Sequence, residues 1–93
     1  MGQLRANLDD LKQNGQLGDW TFTDGDTHII IRLPAGGLDP RGILSPIPLK
    51  PEPDPNEDDW QWDGNREAPT LTPSINWVGV WHGYMRAGQL VPA

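Results

Sequence analysis

Two histidines, His28 and His82, are the only imidazoles in the chain, and with Asp63 or Glu67 they could compose a two-histidine, one-carboxylate metal triad. Two strong nitrogen donors are few for such a site, and a lone histidine on a strand is ordinarily packed or hydrogen-bonded. If a metal binds at all, His28, His82 and Asp63 are its expected ligands. Ser74, His82 and Asp63 can also be written as a nucleophilic triad. Ser74 stands in Pro73-Ser74-Ile75-Asn76, however, with none of the flanking glycines of a nucleophile elbow, and on that ground the triad is set aside. A glycosidase pair of Asp63 and Glu67 would need a deeper cleft than so short a chain builds. The run Asp54 to Asp59 lacks the central glycine and terminal glutamate of a calcium loop.

The residues suited to contact are more numerous. Trp60 and Trp62 are two apart, so in a strand both rings project from one face, with Trp77 and Trp81 as candidate neighbours. Flat indole faces stack on sugars, bases or proline-rich peptides, and they equally supply the buried area of a thin core. Tyr84 and Arg66 complete the candidate binding set, and Glu57, Asp58 and Asp59 form a candidate acidic contact surface. Asp63-Gly64-Asn65 is a turn sequence, in which the two polar side chains serve local backbone bonding.

These residues need elements to hold them. Leu4, Leu8 and Leu11 recur at helical spacing and Asn14-Gly15 is a stop, which predicts a short helix over residues 3–13 within a segment 1–15. Trp20 and Phe22 alternate with polar residues, Asp24-Gly25-Asp26 turns the chain, and Thr27 to Leu33 resumes as a β-branched run. That is a hairpin, followed by an extended Ile43–Leu49 whose Pro46 and Pro48 assign it to an edge or to partial pairing. Segment 19–49 therefore holds the first hairpin and the edge strand. Residues 50–59 are an acidic, proline-rich loop, and residues 60–93 a Trp-rich β half closed by a second hairpin at Ala87-Gly88. The fold class expected is mainly β (β-rich α+β): one domain over residues 1–93, a small antiparallel sheet or sandwich of about six short strands with one N-terminal helix.

Composition narrows the partners. Ninety-three residues with 35% hydrophobic content permit one core. The formal charge is −6, and the seven Lys and Arg residues are scattered singly, which argues against direct nucleic-acid binding. Cysteine is absent, so disulfides and thiolate metal sites are excluded. No apolar run approaches the length of a signal peptide or a membrane span, so a soluble product in the host cytoplasm is expected.

The strings WQWDGNREAPTLTPSINW and WHGYMRAGQLV, within Trp60–Val91, resemble an uncharacterised family of small proteins encoded mostly by bacteriophages and prophages. Its members share W-x-W-D-G-N, P-T-L-x-P-S-I and a histidine-glycine pattern. Some carry an ammonia monooxygenase label, but nothing here resembles a membrane copper enzyme. Members often have cysteines upstream of and beside the histidine that would suit zinc, whereas Trp81 precedes His82 here. The resemblance implies a viral origin. With the contact residues it leads to the expectation of a non-enzymatic phage accessory protein that binds a protein partner and needs no cofactor. It would be either a virion component, packed in repeated copies against capsid or tail proteins, or a free effector whose acidic surface occupies a basic site on a host protein such as a nuclease. The alternatives are a small metal-dependent enzyme using the two histidines and a carbohydrate-binding module using the Trp face.

Overall fold

The computed structural model describes residues 2–34, 40–50, 60–72, 74–77 and 81–93, and for Asp24, Lys50 and Trp77 the backbone alone. The acidic run with Glu57, Asp58 and Asp59 lies outside the described residues, as does Pro73.

The chain is β-rich, as its alternating patterns require. Among the described residues, one helix, α1 (Leu8–Asn14), precedes eight strands: β1 (Trp20–Phe22), β2 (His28–Leu33), β3 (Ile43–Lys50), β4 (Trp60–Trp62), β5 (Leu71–Thr72), β6 (Ile75–Trp77), β7 (Trp81–Arg86) and β8 (Gln89–Pro92). They form a five-stranded sheet in the order β1-β2-β3-β4-β5 and a three-stranded sheet in the order β6-β7-β8. The strands outnumber the six or so expected, four of them being only two or three residues long.

α1 starts later than the leucine spacing predicts. Asn7 caps it, its side chain accepting from the Asp10 N–H at 2.9 Å, while the Asp10 carboxylate accepts from the Ala6 N–H at 3.1 Å. Residues before the cap therefore lie outside the helix, and Leu4 forms a parallel bridge to Trp20. Of the three leucines on the expected stripe only Leu11 is buried on the helix, and Leu8 is 38% exposed.

The expected first hairpin is present, β1 pairing antiparallel with β2 from Trp20↔Ile31 to Phe22↔Ile29. β3 continues the sheet along the whole of β2 and meets β4 only at Leu49↔Trp60 and Lys50↔Gln61, in parallel. The prolines explain this partial pairing. Leu49 N–H donates to Thr27 C=O, so residues 45, 47 and 49 face β2, while Pro46 and Pro48 face the side that β4 leaves free.

Ile29, Ile31 and Leu33 of β2 enter one core with Trp20, Ile47, Leu71, Ile75 and Met85. Both sheets contribute to that cluster, so the two halves of the sequence fold as one unit. The other face of β2 carries Arg32, 4% exposed, whose guanidinium donates to the carbonyls of Leu11, Lys12 and Gly42 at 2.9 to 3.1 Å. A buried cation is tolerated because its donors meet carbonyls at the C-terminal end of α1, where the helix dipole is negative. Asp19, 1% exposed, is the counterpart on the acidic side: it accepts from Arg5 Nε at 2.8 Å and from the backbone N–H groups of Gln3 and Gln16.

Candidate functional site

Residues 69–72 and 74–77 follow β7 in antiparallel order, the first stretch carrying β5 of one sheet and the second β6 of the other. Gly88 N–H donates to Pro69 C=O and Ala87 N–H to the Thr70 hydroxyl, both at 2.9 Å, so this stretch already borders the end of β7 before β6 begins. β5 is meanwhile paired with β4. Ser74 stands where the chain leaves the first sheet and enters the second.

The register of the second sheet then determines what Ser74 meets. Ile75 pairs with Gly83 and Asn76 with His82. Ile75, Gly83 and Met85 are buried on the core face, so strand alternation sends Ser74, Asn76, His82, Tyr84 and Arg86 to the outer face. Across that face the Ser74 Oγ and the His82 Nε2 are 3.2 Å apart, within hydrogen-bond distance. His82 is exposed and Ser74 half-buried, which leaves the pair open to a substrate from solvent. Ser74 C=O in turn accepts a long bond, 3.4 Å, from the Trp60 indole N–H.

A serine hydroxyl on an imidazole nitrogen is the minimal arrangement for nucleophilic catalysis: base and nucleophile share a proton. Ser74 has no glycine-flanked elbow, the ground on which sequence alone disfavours it as a nucleophile. The structure exposes the hydroxyl by other means, a strand end facing its antiparallel neighbour, and the signal available was the eight-residue separation of Ser74 and His82 on two strands joined by a short connection. Asp63 does not complete a triad. Its carboxylate accepts from the N–H groups of Asn65 and Thr70, and Asn65 Oδ1 accepts from those of Glu67 and Ala68, so both residues hold their own loop. Among the described residues no carboxylate is hydrogen-bonded to His82.

The other candidates are placed as follows. His28 Nδ1 lies 3.0 Å from the Thr27 hydroxyl, on β2, and His82 is with Ser74 on the second sheet. Among the described residues, no group of three histidine, aspartate or glutamate side chains is arranged to hold a metal ion, so His28, His82 and Asp63 are not gathered into a triad. Trp60, Trp62 and Trp81 are half-buried and pack against the core cluster, while the Trp77 side chain lies outside the described residues. The two rings of β4 do not form a flat free platform: Trp62 stacks at a tilt on Phe22, centroids 4.7 Å apart, and donates its N–H to Asn65 C=O. Arg66 covers the same Phe22 ring at 4.5 Å and pairs with Asp26 at 2.6 Å. A groove of about 270 Å³ lined by residues including Leu17, Pro34, Trp81, Leu90 and Pro92 does not include Ser74 or His82. On β7, Arg86 lies over the Tyr84 ring at 4.2 Å, on the same face as His82.

Residues 40–93 match a family described as the bacterial ubiquitination-like system serine protease (BubE). The match takes in more than half of the chain, including β3 to β8 and both Ser74 and His82, and the chain belongs to that family. No curated protein and no solved structure matches it.

Proposed function

We propose that this chain is a serine peptidase of a bacterial ubiquitination-like system, with Ser74 as nucleophile and His82 as general base. The observation that carries the reading is the 3.2 Å approach of Ser74 Oγ to His82 Nε2 on an open sheet face, inside the segment that matches a serine protease family. This takes the place of the expected non-enzymatic contact module, which no feature of the described residues specifically favours.

The chemistry follows from the geometry. With its ring proton on Nδ1, His82 presents a lone pair at Nε2 to the Ser74 hydroxyl. As Ser74 Oγ bonds to the substrate carbonyl carbon, its proton passes to Nε2 and the carbonyl oxygen takes the negative charge. Collapse of that adduct breaks the C–N bond, and the imidazolium returns the proton to the departing amine. Water then repeats the sequence on the acyl-serine, again giving its proton to Nε2, and releases the carboxylate product and free Ser74. Among the described residues the dyad is held by strand register rather than by a third polar residue: Ile75 and Met85, both fully buried, anchor the two strands on the core side. General-base assistance of this kind contributes about 10²- to 10⁴-fold.

The test is covalent. An alkyl fluorophosphonate should phosphonylate the wild-type chain at Ser74, identified by peptide mass spectrometry, Ser74→Ala should take no label, and His82→Ala should label at least about 100-fold more slowly. An adduct elsewhere, or labelling indifferent to His82, would refute the assignment.

A further inference from the structure

Among the described residues of the second sheet, the dyad shares its outer face with one charged side chain, and the position of that side chain names a substrate chemistry. Strand alternation places His82, Tyr84 and Arg86 in a row on the outer face of β7. Since Ile75 pairs with Gly83, Ser74 lies across from Tyr84, so the row runs from the base, past the nucleophile, to the guanidinium. Arg86 Cα is two residues beyond Tyr84, about 7 Å along the strand, and its Cζ sits 4.2 Å from the Tyr84 ring centroid. The cation is thus held against the ring of the residue that stands across from Ser74.

Two further facts give this position meaning. Arg86 is exposed, and among the described residues no carboxylate pairs with it, although the chain carries 13 acidic residues against 7 basic ones. Its cross-strand neighbour is neutral Gln89, and Val91 faces Tyr84. Among the described residues, the face around the dyad therefore offers one fork of donors to an anion and no competing carboxylate. A guanidinium meets a carboxylate with two parallel N–H···O bonds, the geometry best matched to it among side chains.

We infer that Arg86, held over Tyr84, is a specificity residue of the site, receiving a carboxylate of the substrate within about two residues of the scissile carbonyl. The carboxylate can belong to an aspartate or glutamate side chain or to a free C-terminus. This rests on the Ser74–His82 reading and extends it to the class of substrate.

The experiment protects Ser74 from an uncharged alkyl fluorophosphonate with short synthetic peptides. One set carries an Asp or Glu beside a central glycine, with both ends blocked; a second carries only a free C-terminal carboxylate; each has an Asn, Gln or C-terminal amide twin. Acidic peptides of at least one set should halve the labelling rate at about tenfold lower concentration than their twins, and the set that does so identifies the source of the carboxylate. Arg86→Gln should shrink that preference to less than about twofold, and Arg86→Lys, a point charge without the fork, should keep part of it. Equal protection by acidic and neutral twins, a preference that survives Arg86→Gln, or no protection by any peptide would overturn the proposal while leaving the dyad standing. Failure of wild-type Ser74 to take the label would remove the dyad and this inference together.

Discussion

Gly83 lies between His82 and Tyr84, and adding one methyl there tests how the site is held. It faces inward, and a Cβ built on it would lie 2.5 Å from the Val91 carbonyl oxygen and closer still to two ring carbons of Trp81. Ordinary carbon contacts fall near 3.5 to 4.0 Å, so the methyl is about 1 Å too close. The half-buried Trp81 ring can swing away, but the Val91 oxygen belongs to β8 and moves only with that strand. Gly83→Ala should therefore cost about 1 to 3 kcal/mol, the usual range for overpacking, and lower the melting temperature by roughly 5 to 20 °C for a domain of this size. Thermal denaturation followed by circular dichroism reads it. A cycle with Trp81→Leu separates the two clashes: in the Trp81→Leu background the alanine should still cost at least about 1 kcal/mol. A melting temperature within about 2 °C of wild type, or full disappearance of the cost once the indole is gone, would refute the claim that the β8 backbone leaves no room for a side chain at Gly83. Because β7 and β8 would shift together, fluorophosphonate labelling of Ser74 should also fall at temperatures where the variant remains folded.

Three other outcomes are expected. Asp19→Ala strands two backbone N–H groups and the Arg5 guanidinium at a site 1% exposed, and should lower stability by about 3 kcal/mol in urea unfolding; a loss under about 1 kcal/mol would contradict the role given to it. Among the described residues the fully buried Ser45 hydroxyl has no hydrogen-bond partner, so Ser45→Ala should raise stability by about 1 kcal/mol, and a decrease in the urea midpoint would count against this. The Asp10 carboxyl is held below its ordinary value of 3.8, first by the Asn14 side-chain amide and then by the Ala6 N–H. A lowered carboxylate pKa in the folded state contributes stability above the ordinary value and loses it as pH falls through the folded one, so α1 should loosen below about pH 3.8. A carboxyl titration by NMR with a midpoint at or above the ordinary value would contradict this.

Part of this protein was legible from residue order alone, and the boundary has a physical cause. The β1–β2 hairpin, the turn at Ala87-Gly88 and the use of Asp63 and Asn65 within their loop depend on neighbours a few residues away, whose alternation and turn chemistry are written in the chain itself. Ala87 and Gly88 adopt φ of 48° and 77°, as a tight hairpin turn of this kind demands. The late start of α1 was also local, carried by Asn7 and Asp10, but the leucine spacing masked it. The mainly β class followed from the same short-range patterns, and the −6 charge from counting.

Tertiary structure decided the rest, because it depends on which strand lies beside which. The five-stranded order includes a parallel contact between β3 and β4, joined through residues 51–59, and no period in the sequence specifies that pairing. The fate of the tryptophans was likewise undetermined: a ring suited to a contact face is equally suited to a core, and only the packing of Trp60, Trp62 and Trp81 on the shared cluster assigns them to its margin. The Ser74–His82 pair shows the division most clearly. Residue types made a serine–histidine site conceivable, but a one-residue slip between β6 and β7 would turn His82 inward and separate it from Ser74. Ile75 and Met85 choose the register by burying their side chains on the core face, and that burial places the hydroxyl against the imidazole on the other.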